Sequence, residues 1–286
     1  MKKLLSIILA LTLCVTLLGI SAAAKMQDPG TAKVYVTIAD QNGKLALAQE
    51  EITVSDVDED YELTINDALY CAHEAKYTGG AAEGYATLLT EYGLSLSKLW
   101  GIANGGSYGY LVNNKFAWGL EDAVKEGDYV NAFIYTDTTG WSDTYSYFDV
   151  NTVAADAGKD ISVTLYKAGY DALYNQIELP AAGAQVLVNG KKIDAKTDEN
   201  GKVSFTINKE GTYIVSAVSD SETLVPAALK VTITGNVEEP AEVEEQTETS
   251  PKTGDNVNLA LWATLMAICF AVVVIAAASY KTVNEK

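Results

Sequence analysis

The feature that constrains this chain most is an uncharged, mainly apolar run from Leu259 to Tyr280, close to its carboxyl terminus. A helix rises roughly 1.5 Å per residue, so about 22 residues cross a hydrocarbon core of about 30 Å. Trp262 and Tyr280 lie near the ends of the run, where aromatic side chains prefer the membrane interface. The pattern predicts one C-terminal transmembrane helix over residues 259–280.

A polar pentapeptide precedes this run, and a short tail containing Lys281 and Lys286 follows it. The pentapeptide is Ser250, Pro251, Lys252, Thr253, Gly254. Motif, helix and tail in this order resemble the LPXTG-like sorting signal of sortase substrates in Gram-positive bacteria, with serine in place of the more usual leucine. The resemblance implies that a sortase thiolate attacks the Thr253 carbonyl, that Gly254 leaves with the helix, and that an amine of a peptidoglycan precursor takes up the acyl group. The alternative for region 250–286 is a plain membrane anchor.

The amino terminus has the three parts of a secretory signal. Met1 to Lys3 is positively charged, Leu4 to Ile20 is apolar, and Ala22 to Ala24 offers a small-residue cleavage site. Residues 1–24 are therefore predicted to be a signal peptide. Both termini together predict a secreted protein that is anchored to the cell wall, with a precursor that spans the membrane.

The charge of the chain limits its partners. The formal net charge is −18, so phosphate would be repelled and nucleic acid is not a predicted partner. Part of this charge is concentrated in residues 236–249, which contain six glutamates, one proline and no aromatic residue. Such a composition predicts a disordered, self-repelling spacer between the folded part and the sorting signal. An acidic binding tail is the alternative.

The remaining residues, roughly 210, are enough for two domains. The predicted ranges are 32–150 and 160–235, with a break near the small-residue stretch from Thr152 to Lys159. In the first range, Val34, Val36 and Ile38 alternate as in a strand, and Leu45 to Val54 is predicted to be a second strand. This range is predicted to be an α+β domain, mainly β with one or two helices.

One helix of this domain is predicted over Thr64 to Lys76. Its apolar residues recur at helical spacing, and Thr64 with Asp67 forms a weak capping box. Further along, Tyr108 to Val112 and Val130 to Tyr135 are predicted to be paired strands. The strand and helix order, with Tyr108–Asn114 and Glu126–Val130, resembles the domain related to the C-terminal half of transcobalamin. The resemblance implies a small, mainly β domain that carries a helix and contacts a corrinoid (cobalamin).

The second range has short strands separated by turns. Val203, Phe205 and Ile207 alternate, and Asn189-Gly190 is a strong hairpin signal. Regular short strands predict an all-β sandwich. The stretches Ala182–Val186, Thr197–Phe205 and Gly211–Tyr213 resemble immunoglobulin-like stalk modules of bacterial surface proteins, of the collagen-adhesin B-type and carboxypeptidase-regulatory-like families. The resemblance implies a spacer role.

Aromatic residues in the second half of the first domain are the candidate ligand-binding residues. Aromatic faces near hydroxyls and carboxylates suit a ring-shaped ligand such as a corrinoid or a glycan. The alternative is that half of them fill the core and the rest are ordinary surface residues. The second functional hypothesis is a structural or adhesive protein that binds a host or matrix protein. The candidates are Tyr108, Tyr110, Trp118, Trp141, Tyr145, Tyr147.

Other residues indicate little catalytic chemistry. The sole histidine, His73, permits no nucleophilic triad with named partners, so an enzyme is not predicted. We interpret His73 as a solvated or capped helix residue, with a metal ligand as the alternative. No metal site is predicted. The aspartates of one segment match positions 1, 3, 5 and 12 of an EF-hand calcium loop: Asp56, Asp58, Asp60, Asp67. We predict that this segment is an acidic turn, with a calcium site as the alternative.

Overall fold

The computed structural model describes residues 28–236. Three predicted regions lie outside this range: the signal peptide 1–24, the spacer from 237 onward, and the sorting signal 250–286 with its helix 259–280. Between residues 28 and 236, no helix is long and apolar enough to cross a membrane. These residues belong to one compact unit, and every strand among them pairs with another strand of the same unit. The unit therefore contains its own cores, and residues 28–236 can be prepared as a fragment.

The first half of this range combines one sheet with two helices and a small hairpin. Its elements are β1 (Thr31–Ala39), β2 (Leu45–Ser55), α1 (Ile65–Lys76), α2 (Gly80–Gly84), β3 (Ala86–Thr90), β4 (Gly93–Lys98), β5 (Tyr108–Val112), β6 (Lys115–Phe116) and β7 (Tyr129–Ile134). The sheet has the order β2-β1-β7-β5-β6, with β1 and β7 parallel and the other pairs antiparallel. The predicted pairing of the strands near Tyr108 and Val130 is thus confirmed, and we call this half the first lobe.

Helix α1 covers one face of the first sheet. Thr64 is its N-cap: the threonine Oγ1 accepts from the Asp67 N–H, and the Asp67 carboxylate accepts from the Thr64 N–H, as the sequence predicted. Ile65, Leu69 and Ala72 recur on one side of the helix and are fully buried against β1 and β2. The capping box therefore fixes the start of the helix, and the apolar spacing determines which side of the same helix is buried.

The second half of the range is a two-sheet sandwich. Its elements are β8 (Thr144–Phe148), β9 (Thr152–Asp156), β10 (Asp160–Tyr170), β11 (Gln176–Pro180), β12 (Gln185–Val188), β13 (Lys191–Lys196), β14 (Lys202–Thr206), β15 (Gly211–Val218), β16 (Leu224–Val225) and β17 (Leu229–Thr234). One sheet has the order β11-β10-β8-β16, with β14 also paired to β10, and the other has the order β13-β12-β15-β17-β9. An apolar core that includes Leu165, Val186 and Leu229 lies between them. The predicted all-β sandwich is confirmed, and we call it the second lobe.

Two strands of the sandwich lie where the sequence suggested something else. Strand β8 falls in the range predicted for the first domain, yet it pairs with β10 and β16. Strand β9 falls in the stretch interpreted as a break, yet it pairs in parallel with β17. Small residues suggested a linker there, but Val153 and Ala155 are partly buried against the sandwich core.

The two lobes share a third apolar cluster. Leu111 and Phe133 of the first sheet pack against Tyr145 and Tyr147 of β8. These contacts lie on the face of the first sheet that α1 leaves uncovered, because successive strand residues point to opposite faces. Hydrogen bonds add to the contact, including one of 2.7 Å from Gln49 Nε2 to the Ala228 carbonyl. The first sheet is therefore a middle layer with apolar packing on both faces.

Candidate ligand-binding surface

Two of the six candidate aromatic residues are buried between the lobes. Tyr145 and Tyr147 alternate on β8, and their rings stack with centroids 5.6 Å apart. The Tyr145 hydroxyl donates to Asn114 Oδ1 and the Tyr147 hydroxyl donates to Glu178 Oε1, both at 2.8 Å. Burial raises the pKa of both hydroxyls. The sequence correctly placed both rings on one side of a strand, but that side faces the first sheet.

Two further candidates, Tyr108 and Tyr110, are half-buried against the first core. The Tyr108 hydroxyl donates to the Ile102 carbonyl at 2.8 Å and accepts from the Asn104 N–H at 3.1 Å. Desolvation raises the pKa of both tyrosines. Tyr108 thus fixes the glycine-containing loop that begins at Asn104, and its role there is to position the backbone.

Trp141 is exposed and firmly held. Its side chain is 62% exposed, and its backbone has a φ of +50°, which is rare for a bulky residue. The indole Nε1 donates to Ser107 Oγ at 3.2 Å, and the Trp141 N–H donates to the Asp137 carbonyl at 3.0 Å. The ring is therefore fixed in place while much of its surface stays open to solvent.

Two carboxylates fold the loop that carries Trp141. Asp143 accepts from the Thr136 N–H, the Thr136 hydroxyl and the Asp137 N–H, at 2.6–2.9 Å. The Asp137 carboxylate accepts from Gly140, Thr139 and Ser142, and these hydrogen bonds, led by that of Gly140, lower the pKa of Asp137. These roles of Asp137 and Asp143 were not predicted from the sequence. The signal was present, since Asp followed by Thr, Gly and Ser favours side-chain-capped turns.

The loop from Asn104 to Ser107 borders Trp141. Asn104 Nδ2 donates to the Ser107 carbonyl at 2.9 Å, and Asn104 Oδ1 accepts from the Ser107 N–H at 3.1 Å. Between them, Gly105 and Gly106 have positive φ, and a methyl group added to either would meet no atom within 4 Å. The backbone next to the indole is thus ordered by side-chain hydrogen bonds, and its two glycines carry no side chains.

The other exposed tryptophan, Trp118, lies in a different loop. Its side chain is 99% exposed, and its N–H donates to Asp122 Oδ2 at 2.8 Å. A hairpin made of β3 and β4 adds exposed apolar side chains that the sequence analysis did not select: Leu88 is 61%, Leu89 75% and Tyr92 90% exposed. A Cβ placed on Gly93 would lie 2.9 Å from Glu121 Oε2, so the hairpin turn touches the loop that carries Trp118.

The acidic turn brings three carboxylates together. Asp56, Asp58 and Asp60 each place one oxygen within 4.8 Å of the others, a donor set that Ca²⁺ accepts. Asp67, which matches position 12 of an EF-hand loop, instead accepts from the Val57 and Thr64 N–H groups at 2.9 and 2.8 Å. Burial, followed by the charge of Asp67, raises the pKa of Asp58. In this arrangement Asp67 closes the turn onto the helix.

The interpretation of His73 as a solvated or capped helix residue was wrong in that the side chain is not solvated. The imidazole is fully buried, Nδ1 lies 2.6 Å from the Leu69 carbonyl, and Nε2 accepts from the Trp100 N–H at 2.9 Å. Both ring nitrogens are therefore occupied by backbone groups, which leaves neither for a metal. Desolvation lowers the pKa of His73 to about 4. Helical spacing alone could not show this, because Trp100 reaches the ring from a distant loop.

Comparisons with known proteins concern the fold alone. No protein-family model matches the chain, and no curated protein matches it. Among solved structures, the N-terminal four Ig domains of Dscam1 isoform 6.9 share 13% identity with a TM-score of 0.22, over 53% of this chain and 42% of that chain. The tandem Ig repeats of Dlar share 13% identity with a TM-score of 0.20, over 53% of this chain and 91% of that one. This chain spans about two fifths of the Dscam1 chains that it matches.

Both matches are proteins with Ig domains. The all-β sandwich of the second lobe is established by its own strand pairing. Such low similarity carries no argument about what this chain binds. The candidate surface therefore has to be judged on its own geometry.

Proposed function

We propose that this chain is a cell-wall-anchored, non-enzymatic binding protein whose first lobe stacks a ring-shaped ligand, most simply a glycan, on Trp141. The predicted signal peptide and the resemblance of the segment around Thr253 to a sorting signal support the location. The exposed and fixed indole supports the binding role and is the single observation on which the proposal depends. The sandwich and the acidic spacer then serve to hold the first lobe away from the membrane.

The loop around Trp141 has the chemistry of a sugar platform. An aromatic face offers apolar area to the C–H side of a sugar ring, and nearby hydroxyls and carboxylates can bond to its hydroxyls. Asp137 remains ionised because its hydrogen bonds lower its pKa. Since the Asp137, Asp143 and Ser107 contacts hold the loop before any ligand arrives, little conformational entropy is lost on binding. A corrinoid belongs to the same ring-shaped class and is tested alongside.

A titration of residues 28–236 tests this role. We expect a soluble oligosaccharide from a panel of chitohexaose, cellohexaose and xylohexaose, or cyanocobalamin, to bind in calorimetry, and Trp141→Ala to weaken it about tenfold or more, in line with the 1.4 kcal/mol that a tenfold change represents. Trp118→Ala is the matched control, because Trp118 is more exposed but lacks the hydroxyl-rich loop. Equal losses in both variants, or no binding of any probe, would contradict the proposal.

The adhesive alternative rests on a separate observation. Strands β3 and β4 form a two-stranded hairpin whose Leu88, Leu89 and Tyr92 are exposed, and exposed apolar groups of this kind often mark protein contacts. Immobilised matrix proteins such as collagen and fibronectin provide the test. Retention that Leu89→Glu abolishes and Trp141→Ala leaves unchanged would favour the adhesive function over glycan binding.

The anchoring step has its own experiment. Peptidoglycan fragments released by muralytic digestion should carry this protein joined through the Thr253 carbonyl, as shown by mass spectrometry. Gly254→Ala serves as the variant, and accumulation of uncleaved precursor is expected. An intact chain that still ends at Lys286 in the wild type would refute wall anchoring while leaving the glycan test unaffected.

A further inference from the structure

A cleft of about 660 Å³ lies between the two lobes, away from Trp141. One wall is the turn between β1 and β2, with Lys44, Leu45 and Ala48. The other wall is the outer face of β12 and β15, where Leu187 and Ile214 point away from the sandwich core. This volume lies in the range typical of small-molecule sites, which often form at domain interfaces.

Two buried polar atoms belong to residues at or next to the lining of this cleft. Among residues 28–236, the buried side-chain oxygen and nitrogen atoms that lack a hydrogen-bond partner are Gln49 Oε1 and Ser216 Oγ. Ser216 lines the cleft, and Gln49 follows the lining residue Ala48. Buried polar groups are nearly always paired, so each unpaired one indicates a missing partner.

The pairing of β15 with β17 brings the two residues together. Val215 pairs with Leu229, which places Ala228 opposite Ser216. Gln49 Nε2 donates to that same Ala228 carbonyl at 2.7 Å. The Gln49 backbone is held as well, because its N–H donates to Thr37 Oγ1 at 3.2 Å. The amide is therefore fixed beside Ser216, with its nitrogen used and its oxygen unpaired.

We propose that the cleft binds a small amphiphile with an aliphatic chain, a hydroxyl at one end and a carboxylate at the other. The hydroxyl at the floor donates to Gln49 Oε1 and accepts from the Ser216 hydroxyl, which satisfies both unpaired atoms at once. The aliphatic chain packs on Leu45, Leu187 and Ile214. Lys44 carries the only charge among the residues that line the cleft, and it meets the carboxylate.

Three probes of the same chain length separate the contribution of the ligand hydroxyl from that of the ligand carboxylate. They are 10-hydroxydecanoate, decanoate and 1-decanol, each titrated into residues 28–236 below its aggregation concentration. We expect 10-hydroxydecanoate to bind most tightly, decanoate about tenfold more weakly because the floor atoms stay unpaired, and 1-decanol about threefold more weakly because Lys44 is unused.

Two conservative variants test whether Ser216 and Lys44 make the proposed contacts. Ser216→Ala should reduce the difference between 10-hydroxydecanoate and decanoate, because only the bond to Gln49 Oε1 remains. It should not lower the Tm, since the Ser216 hydroxyl has no partner in the free protein. Lys44→Gln should remove the difference between 10-hydroxydecanoate and 1-decanol. A lowered Tm in Ser216→Ala with unchanged probe ratios would show that the hydroxyl holds only a buried water, and it would overturn the proposal. Absence of binding by all three probes would overturn it as well.

Discussion

The two lobes differ in where their non-glycine residues adopt a positive φ, which is an unfavourable backbone conformation. Of the nine non-glycine residues with positive φ between residues 28 and 236, seven lie in Gln49–Trp141 and two lie in the sandwich, at Tyr174 and Asn189. In the sandwich both sit at hairpin turns, where such a φ is ordinary. In the first lobe they include Gln49 in a strand bulge and two tryptophans, residues that rarely adopt it.

This difference accompanies a difference in how the two lobes are built. The sandwich is a regular structure with one apolar core, which suits the spacer role proposed for it. The first lobe contains buried polar contacts, such as those of His73 and Asp67, that hold irregular loops in one conformation. Strained residues persist only where the surroundings over-determine them, and such places are often functional. Both proposed ligand sites include a residue from the strained group, Trp141 or Gln49.

The largest expected effect tests whether the lobes are independent. Phe133 is fully buried at the contact with β8, so Phe133→Ala should lower the free energy of unfolding by about 3–5 kcal/mol. The three tryptophans of residues 28–236 all lie in the first lobe, whereas far-UV circular dichroism reports both lobes. We expect the fluorescence and dichroism transitions in urea to coincide. Phe148→Ala, in the sandwich core, is the control and should shift the same single transition.

Separate transitions for fluorescence and dichroism would show that the lobes unfold independently. The two lobes would then be neighbouring domains that are in contact but unfold separately.

The next largest effect is a dependence of stability on pH that arises from His73 in the first lobe. The pKa of His73 is about 4 in the folded chain, against about 6.5 when unfolded. The unfolded state therefore binds more protons between these values, and stability present above pH 6.5 is lost as pH falls toward 4, by about 3 kcal/mol in total. Urea unfolding across this range should show the slope. His73→Gln should abolish that part of it, because the chain has no other histidine.

An unchanged pH slope in His73→Gln would assign the acid sensitivity to carboxylates. The contrast between a first lobe with buried polar contacts and a sandwich with one apolar core would then need revision.

A smaller effect is expected at the start of α1. Thr64→Ala removes the acceptor for the Asp67 N–H and should cost about 1 kcal/mol in urea unfolding. Thr64→Ser keeps an oxygen at the cap and serves as the control. Equal stability of the alanine and serine variants would show that the Asp67 carboxylate alone caps the helix.

The smallest effect is expected in the sandwich. Asn189 has a φ of +48° at a two-residue hairpin turn, a conformation that glycine adopts readily. Asn189→Gly should change the free energy of unfolding by less than about 0.5 kcal/mol, because its exposed bond to the Ile214 N–H can be replaced by water. A loss above 1 kcal/mol would show that the sandwich, too, depends on its strained residues.

Local signals predicted many of the elements. The capping box at Thr64 and the apolar spacing that follows it predicted α1, and Asn189-Gly190 predicted the hairpin between β12 and β13. Alternation predicted β1 and β14. These features depend on residues close together in the chain, so a sequence shows them directly.

The candidate site was only partly predictable. Trp118 and Trp141 were selected together with Tyr145 and Tyr147, because an aromatic residue on a strand looks the same whether solvent or another sheet covers it. The exposed residues Leu88, Leu89 and Tyr92 were not selected, since apolar strand residues normally indicate a core. Exposure depends on what packs against a strand, and that partner can lie far away in the chain.

By itself, the sequence determined the net negative charge and predicted many of the elements and turns; the signals that it predicts at both ends lie outside residues 28–236. Only the tertiary structure decided that β8 and β9 join the sandwich, that His73 holds Trp100, and that Gln49 and Ser216 meet between the lobes. The physical reason is the range of the interactions. Periodicity and capping act over a few residues, whereas burial and hydrogen-bond pairing join groups as distant as Gln49 and Ala228.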